Sequence, residues 1–190
     1  MFIYDIEIKH PIAPKNPAER DSSIEFYAKD FNDYANMGIA CVGAYDYTCD
    51  KYRVFGEYEL EDFQQFINSH DVAIGYNNIR FDNNVLRSCN IQISDSKSYD
   101  ILAQIYSALG SFQKGCRLED VIKANFPNSA GKSGDGAQAP ILWQQGYHTK
   151  VIDYCLNDVR LTKMLLDRIL RCGFITNPIE TAKDLRIKRP

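Results

Sequence analysis

The stretch FIYDIEI, residues 2–8, constrains this chain more than any other. Phe2, Ile3, Tyr4, Ile6 and Ile8 are the aromatic and β-branched residues of a buried strand, yet Asp5 and Glu7 interrupt them. Successive strand side chains point to opposite faces, so Asp5 and Glu7 share one face while Phe2, Tyr4, Ile6 and Ile8 take the other. Two adjacent carboxylates in a core repel each other. The remedies are a shared proton, a basic partner or a divalent cation. On the strand alone, pairing with Arg or Lys, or a strand less buried than its composition implies, accounts for the acids as well as a metal does.

The rest of the chain supplies a core for such a strand to join. Its 190 residues suit one domain, and 45% hydrophobic with 12% aromatic residues marks a globular protein. No apolar run approaches the roughly 20 residues needed to span a bilayer. No basic leader followed by an apolar stretch opens the sequence, so a cytoplasmic location is expected, or the host cytoplasm for a viral protein. The six cysteines form no C-x-x-C pair, and three histidines complete no zinc pattern, so reduced core thiols are expected. A formal net charge of −3 neither advertises nor excludes a nucleic-acid partner, since local patches matter more than the sum.

Along the chain, residues 9–36 carry several prolines and read as an irregular excursion with a short helix at 24–35. GIACVGAYDY and KYRVFGEY, separated by a short polar turn, read as a hairpin. LEDFQQFINS is an amphipathic helix with Leu60, Phe63, Phe66 and Ile67 on one side. DVAIGYN is a short strand ending at Gly75, FDNNVLRSCN begins a helix, KSYDILAQIYSALG passes from strand to helix, and RLEDVIKANF is a further helix. PNSAGKSGDGAQAP is a loop. A long helix is expected over 148–172, with Gly173 as its C-cap and a basic tail over 174–190. Strands alternating with helices after a hairpin imply an α/β fold, a mixed sheet flanked by helices.

The long helix raises the stakes for the opening strand. Val151, Tyr154, Asp158, Leu161 and Leu165 follow a 3-4-3-4 spacing, which sets Asp158 in the stripe that faces the core and Tyr154 one turn before it. A Tyr–Asp hydrogen bond that anchors the helix explains this pair on its own. GYNNIRFDNNVL adds Asn77, Phe81 and Asp82 at a strand-to-helix junction, where Asp and Asn also serve as ordinary turn and cap residues.

Taken together, D-x-E, N-x3-F-D and Y-x3-D form an ordered set, and here the chain resembles the DEDD superfamily of 3′–5′ exonucleases on the ribonuclease H-like fold. Tyr154, four residues before Asp158, is similar to the DEDDy subgroup, which includes proofreading domains of family A and B DNA polymerases and ribonuclease D. The other subgroup has His five residues before the last acid; this chain has Asp153 there. The resemblance covers about residues 2–172. Two departures stand out: EIKH follows the first motif where relatives often have Glu-Thr-Gly, and the 9–36 excursion is an insertion in a domain of 1–173.

The resemblance implies a two-metal-ion exonuclease using two Mg²⁺, with Mn²⁺ as a substitute. Asp5 would bridge both ions, Glu7 and Asp158 would complete the shell of one, Asp82 would hold the other, and Tyr154 would orient the attacking water. Asn77 and Phe81 would line the groove for the last nucleotides, Phe81 being equally explicable as plain core. Lys132 in the glycine loop and the cations of the tail are candidate phosphate contacts. The implied partner is a single-stranded DNA or RNA 3′ end, with DNA favoured, and no membrane. A catalytically silent module that binds nucleic-acid ends is the alternative. Gly131-Lys132-Ser133 is not a P-loop: the first glycine of that motif would fall at Phe126, and the chain continues Gly-Asp-Gly rather than as a helix.

Overall fold

The computed structural model of the chain describes residues 1–129 and 136–190. Its main sheet contains β1 (Phe2–Ile8), β2 (Ile39–Asp46), β3 (Lys51–Gly56), β4 (Ala73–Gly75) and β5 (Ser98–Asp100), in the order β3-β2-β1-β4-β5. β1, β2 and β3 pair antiparallel, while β4 runs parallel to β1 and β5 parallel to β4. The helices are α1 (Tyr34–Met37), α2 (Leu60–Asn68), α3 (Asp82–Ser88), α4 (Ile101–Leu109), α5 (Leu118–Asn125), α6 (Ala139–Gln144) and α7 (His148–Cys172). This is the α/β mixed sheet flanked by helices that the sequence leads one to expect.

The alternation in β1 sorts the core into two layers. Phe2, Tyr4, Ile6 and Ile8 pack with Phe63 of α2, Val85 and Leu86 of α3, and Met37. Ile3, on the opposite face, joins Val159, Leu161 and Leu165 of α7 and Ile101 and Ile105 of α4. Asp5 and Glu7 therefore stand on the face that α7 covers. Gly43 of β2, opposite Asp5, permits the close approach of that helix: a Cβ there would meet Cys155 Sγ at 3.0 Å and Val159 Cγ2 at 3.2 Å. α7 stops where Gly173 takes φ of 76°, the left-handed C-cap that glycine adopts without a Cβ clash.

Three local expectations are corrected. The helix expected over 24–35 is not formed over residues 24–33; a helix begins only at Tyr34. Asp33 Oδ2 accepts the Lys29 amide at 2.7 Å and Asp30 Oδ1 accepts the Asn32 amide at 2.8 Å, so these side chains take the amides that a helix would need. Ala28 instead pairs with the chain near Pro11 to Ala13. The loop expected through Pro140 ends earlier, because Ala139 and Pro140 form the first turn of α6, a position that tolerates proline. Residues 174–190 carry two strands, β6 (Phe174–Thr176) and β7 (Asp184–Arg186), which pair antiparallel and bury Ile175, Leu185 and Ile187 against the α7 layer.

Candidate active site

The site forms at the C-terminal end of β1, where its two sides differ. On one side β2 pairs along the whole strand. On the other, β4 pairs with Phe2 and Ile3 and ends at Gly75, so among the described residues the distal part of that edge has no strand neighbour. Asp82, the first residue of α3, fills this position: its Oδ1 accepts the Ile6 amide at 3.3 Å. Ile6 lies between Asp5 and Glu7, so this one bond brings the third acid to the first two.

A compact turn makes that reach possible. Gly75 has no room for a side chain, since a Cβ would sit 2.6 Å from Asn78 Cβ. Asn77 adopts φ of 66°, a left-handed conformation that Asn tolerates better than most residues. The Phe81 amide then donates to Asn77 O at 3.1 Å and the Asn83 amide to Asn78 O at 2.8 Å, starting α3. Behind the turn, Asn78 Nδ2 donates to the buried Tyr4 hydroxyl at 3.1 Å, and that hydroxyl donates to Asn83 Oδ1.

α7 contributes the fourth acid. Asp158 is buried, and burial of Asp82 itself, with the charges of Asp100 and Asp158 beside it, pushes the Asp82 carboxyl up to about 7. One turn earlier, Cys155 Sγ accepts the Gly43 amide at 3.2 Å and donates to Asp5 O at 3.4 Å. Cys155, Asp5 and Glu7 offer ligand atoms that all lie within 4.8 Å of one another. A hydrogen bond with Cys41, burial and the nearby acids push the Cys155 thiol up, so it stays protonated. Tyr154 is buried beside it, with its hydroxyl 3.3 Å from where a Cβ on Gly136 would lie, so Gly136 stands close to the phenol.

Asp5, Glu7, Asp82, Asp158 and Tyr154 are thus gathered from three elements around the end of β1. Asn77 and Phe81 lie in the turn that delivers Asp82. Phe81 is half-buried, touches the apolar layer below it, and meets Tyr34 of the 9–36 segment edge-on at 6.3 Å between centroids. Lys132 lies outside the described residues. Sequence reasoning missed Asp100 and Cys155. A Tyr-Asp pair at a strand-to-helix step signals only an N-cap, and the cysteine was expected among reduced core thiols. All six cysteines are free, but Cys49 and Cys172 are exposed rather than in the core.

Glu7, Asp82 and Asp158 are buried and Asp5 is half-buried. Carboxylates are the hard oxygen donors that divalent cations favour, and Asp5 and Glu7 already lie within a metal's reach of each other. The cysteine at their edge is a softer ligand type.

The RNase H superfamily model matches residues 24–170, a span that carries Asp82, Tyr154 and Asp158 and leaves β1 outside. Among solved structures, that of the family B DNA polymerase from the hyperthermophilic archaeon Pyrobaculum calidifontis is similar in fold. The TM-score is 0.59 at 16% identity, over 89% of this chain and 24% of the polymerase chain. No curated protein matches the sequence.

Proposed function

Because the chain belongs to the RNase H superfamily, we propose that it is a two-metal-ion exonuclease of the DEDDy type. It would hydrolyse phosphodiester bonds at single-stranded 3′ ends, DNA ahead of RNA, and release nucleoside monophosphates. The observation that carries this reading is the bond from the Ile6 amide to Asp82, which joins the acid of α3 to Asp5 and Glu7 under the helix that bears Tyr154 and Asp158. The order of motifs and the fold similarity to a family B DNA polymerase support it.

Asp5, Glu7, Asp82 and Asp158 would hold two divalent cations, Mg²⁺ or in its place Mn²⁺. When bound, such ions supply activation of water and charge stabilisation at the leaving oxygen. The chain's own groups do the rest. A phenol is a poor base, so the Tyr154 hydroxyl would position the attacking water by hydrogen bond. Asn77 and Phe81 would hold the terminal nucleotides, with the Phe81 ring as a stacking face that suits any base. Lys132 would contact a phosphate.

The test is an end-labelled degradation assay on matched single-stranded DNA and RNA oligonucleotides, with Mg²⁺, Mn²⁺ or EDTA, beside Asp5→Ala. A metal-dependent ladder that shortens from the 3′ end and vanishes in the variant is the expected result. Oligonucleotides left intact in every lane, with tight binding to their ends, would replace this reading with a non-cutting end-binding module.

A further inference from the structure

Asp100 closes β5, opposite Gly75 in the sheet register, and is 4% exposed. Its side chain accepts several backbone amides. Oδ1 takes Ala103 N at 3.2 Å and Asn77 N at 2.9 Å, and Oδ2 takes Ile79 N at 3.3 Å. The bond to Ala103, with a further one from Leu102, belongs to the capping of α4, which any good N-cap residue provides. The other two reach across to the turn after β4 and use both carboxylate oxygens on it. That turn contains Asn77 in its left-handed conformation, and its next hydrogen bonds start the helix whose first residue is Asp82.

We propose that Asp100 is a positioning residue of the acid cluster: by clamping the amides of Asn77 and Ile79 it fixes the turn that holds Asp82 against Ile6. The proposal rests on the cation-binding reading of the four acids. The chain of contacts runs from Asp100 to the turn, from the turn to Asp82, and from Asp82 to the Ile6 amide between Asp5 and Glu7. A cap alone needs one acceptor, and a buried carboxylate is a costly way to supply it. Two oxygens fixed on one turn are what a support for a ligand residue requires.

Asp100→Ser separates the two roles, since serine caps a helix well but is too short to span both turn amides. Three quantities are measured on the full chain: melting temperature, amide hydrogen exchange at Asn77 and Ile79, and the affinity for Mn²⁺ alone. The expected Asp100→Ser result is a cooperative transition, faster exchange at both amides, and Mn²⁺ affinity weakened by about tenfold or more. Unchanged exchange and Mn²⁺ affinity within twofold of the parent would overturn the role. If Asp100→Ser does not fold, exchange in the parent chain decides: slow exchange at Asn77 and Ile79, matching the β4 amides, supports the clamp, and fast exchange refutes it. The Mn²⁺ readout also separates the two readings. A parent chain that cuts nothing, with Asp100→Ser still weakening Mn²⁺, removes the exonuclease reading and keeps the clamp. A parent chain that cuts, with Mn²⁺ binding untouched by the substitution, removes the clamp and keeps the exonuclease.

Discussion

Ile6 and Asp82 are 76 positions apart, yet the amide of one donates to the carboxylate of the other at 3.3 Å. The bond forms because β4 ends at Gly75 and α3 begins beside the part of β1 that β4 does not pair. It makes Asp82 part of the strand's hydrogen-bond ladder as well as of the acid cluster. Asp82→Asn keeps an acceptor for Ile6 and removes a buried charge that faces Asp100 and Asp158. In EDTA the variant should melt no lower than the parent, because a repulsion is gone. Metal-dependent release of nucleotides should fall by on the order of a hundredfold or more. A nuclease assay and a thermal scan on the same preparation check both halves.

At the opposite end of the sheet, Asp46 provides a pH-dependent anchor. Burial alone would raise its carboxyl. The Thr48 amide at 2.8 Å, the His70 ring at 3.1 Å and the Cys49 thiol at 3.2 Å outweigh that and hold it well below the usual carboxylate range. A depressed acid stabilises the fold above its unfolded pKa and loses that contribution as pH falls through the folded value. Asp46→Asn should therefore cost about 2 kcal/mol at pH 7, the scale of hydrogen bonds to a charged group. The gap to the parent should close as pH drops below about 4. Denaturant titrations at pH 7, 5 and 3 test it, and a gap that grows toward acid would reverse the sign of the argument.

Gly75 is required by space rather than by backbone angle. A Cβ there lies 2.6 Å from Asn78 Cβ and 2.7 Å from its Cγ, both near the root of a side chain that is 1% exposed. Asn78 cannot swing away without releasing its bond to Tyr4. Gly75→Ala should cost about 1–3 kcal/mol through this overpacking. Because the displaced turn carries Asp82, it should also weaken Mn²⁺ binding. Calorimetry paired with a Mn²⁺ titration would show both losses in the same variant.

Much of this arrangement was legible in the sequence, because the residues concerned obey short-range periodicity. Alternation placed Asp5 and Glu7 on one face of β1, and the 3-4 stripe turned Asp158 and Tyr154 toward the same core. Asp82 was readable as the start of a helix after a strand. Its bond to Ile6 was not, since that depends on β4 stopping short, which is set by sheet register. Asp100 was hidden for a related reason: its N-cap role is local and visible, while its two bonds to the turn after β4 are tertiary. The helix expected at 24–35 failed where Asp30 and Asp33 captured amides, a competition that hydrophobic pattern does not register. β6 and β7 have three residues each, too short for alternation to announce them.

Those last strands turn a segment that looks like a tail into part of the core. Ile175, Leu185 and Ile187 are 0%, 8% and 4% exposed beneath α7 and α4. Asn125 of α5 fastens β6 from both directions, since its Oδ1 accepts Thr176 N at 2.8 Å and its Nδ2 donates to Thr176 O at 3.1 Å. Tyr99 donates to Lys188 O, which ties the far end to β5. Each buried aliphatic side chain contributes about 1.5–3 kcal/mol, so deleting 174–190 should cost on the order of 5 kcal/mol, comparable to the whole stability of many domains. The chain ending at Gly173 should therefore melt far below the parent or fail to fold. Neutralising Lys183 and Arg186, whose side chains lie at the surface, should leave the melting temperature unchanged within a few degrees. If those charges contact the phosphates of a bound strand, that double variant should raise KM for an oligonucleotide, and more so at low salt. A truncated chain that melts with the parent would show that the hairpin is a passenger in the core, and an unchanged KM in the double variant would clear Lys183 and Arg186 of phosphate contact.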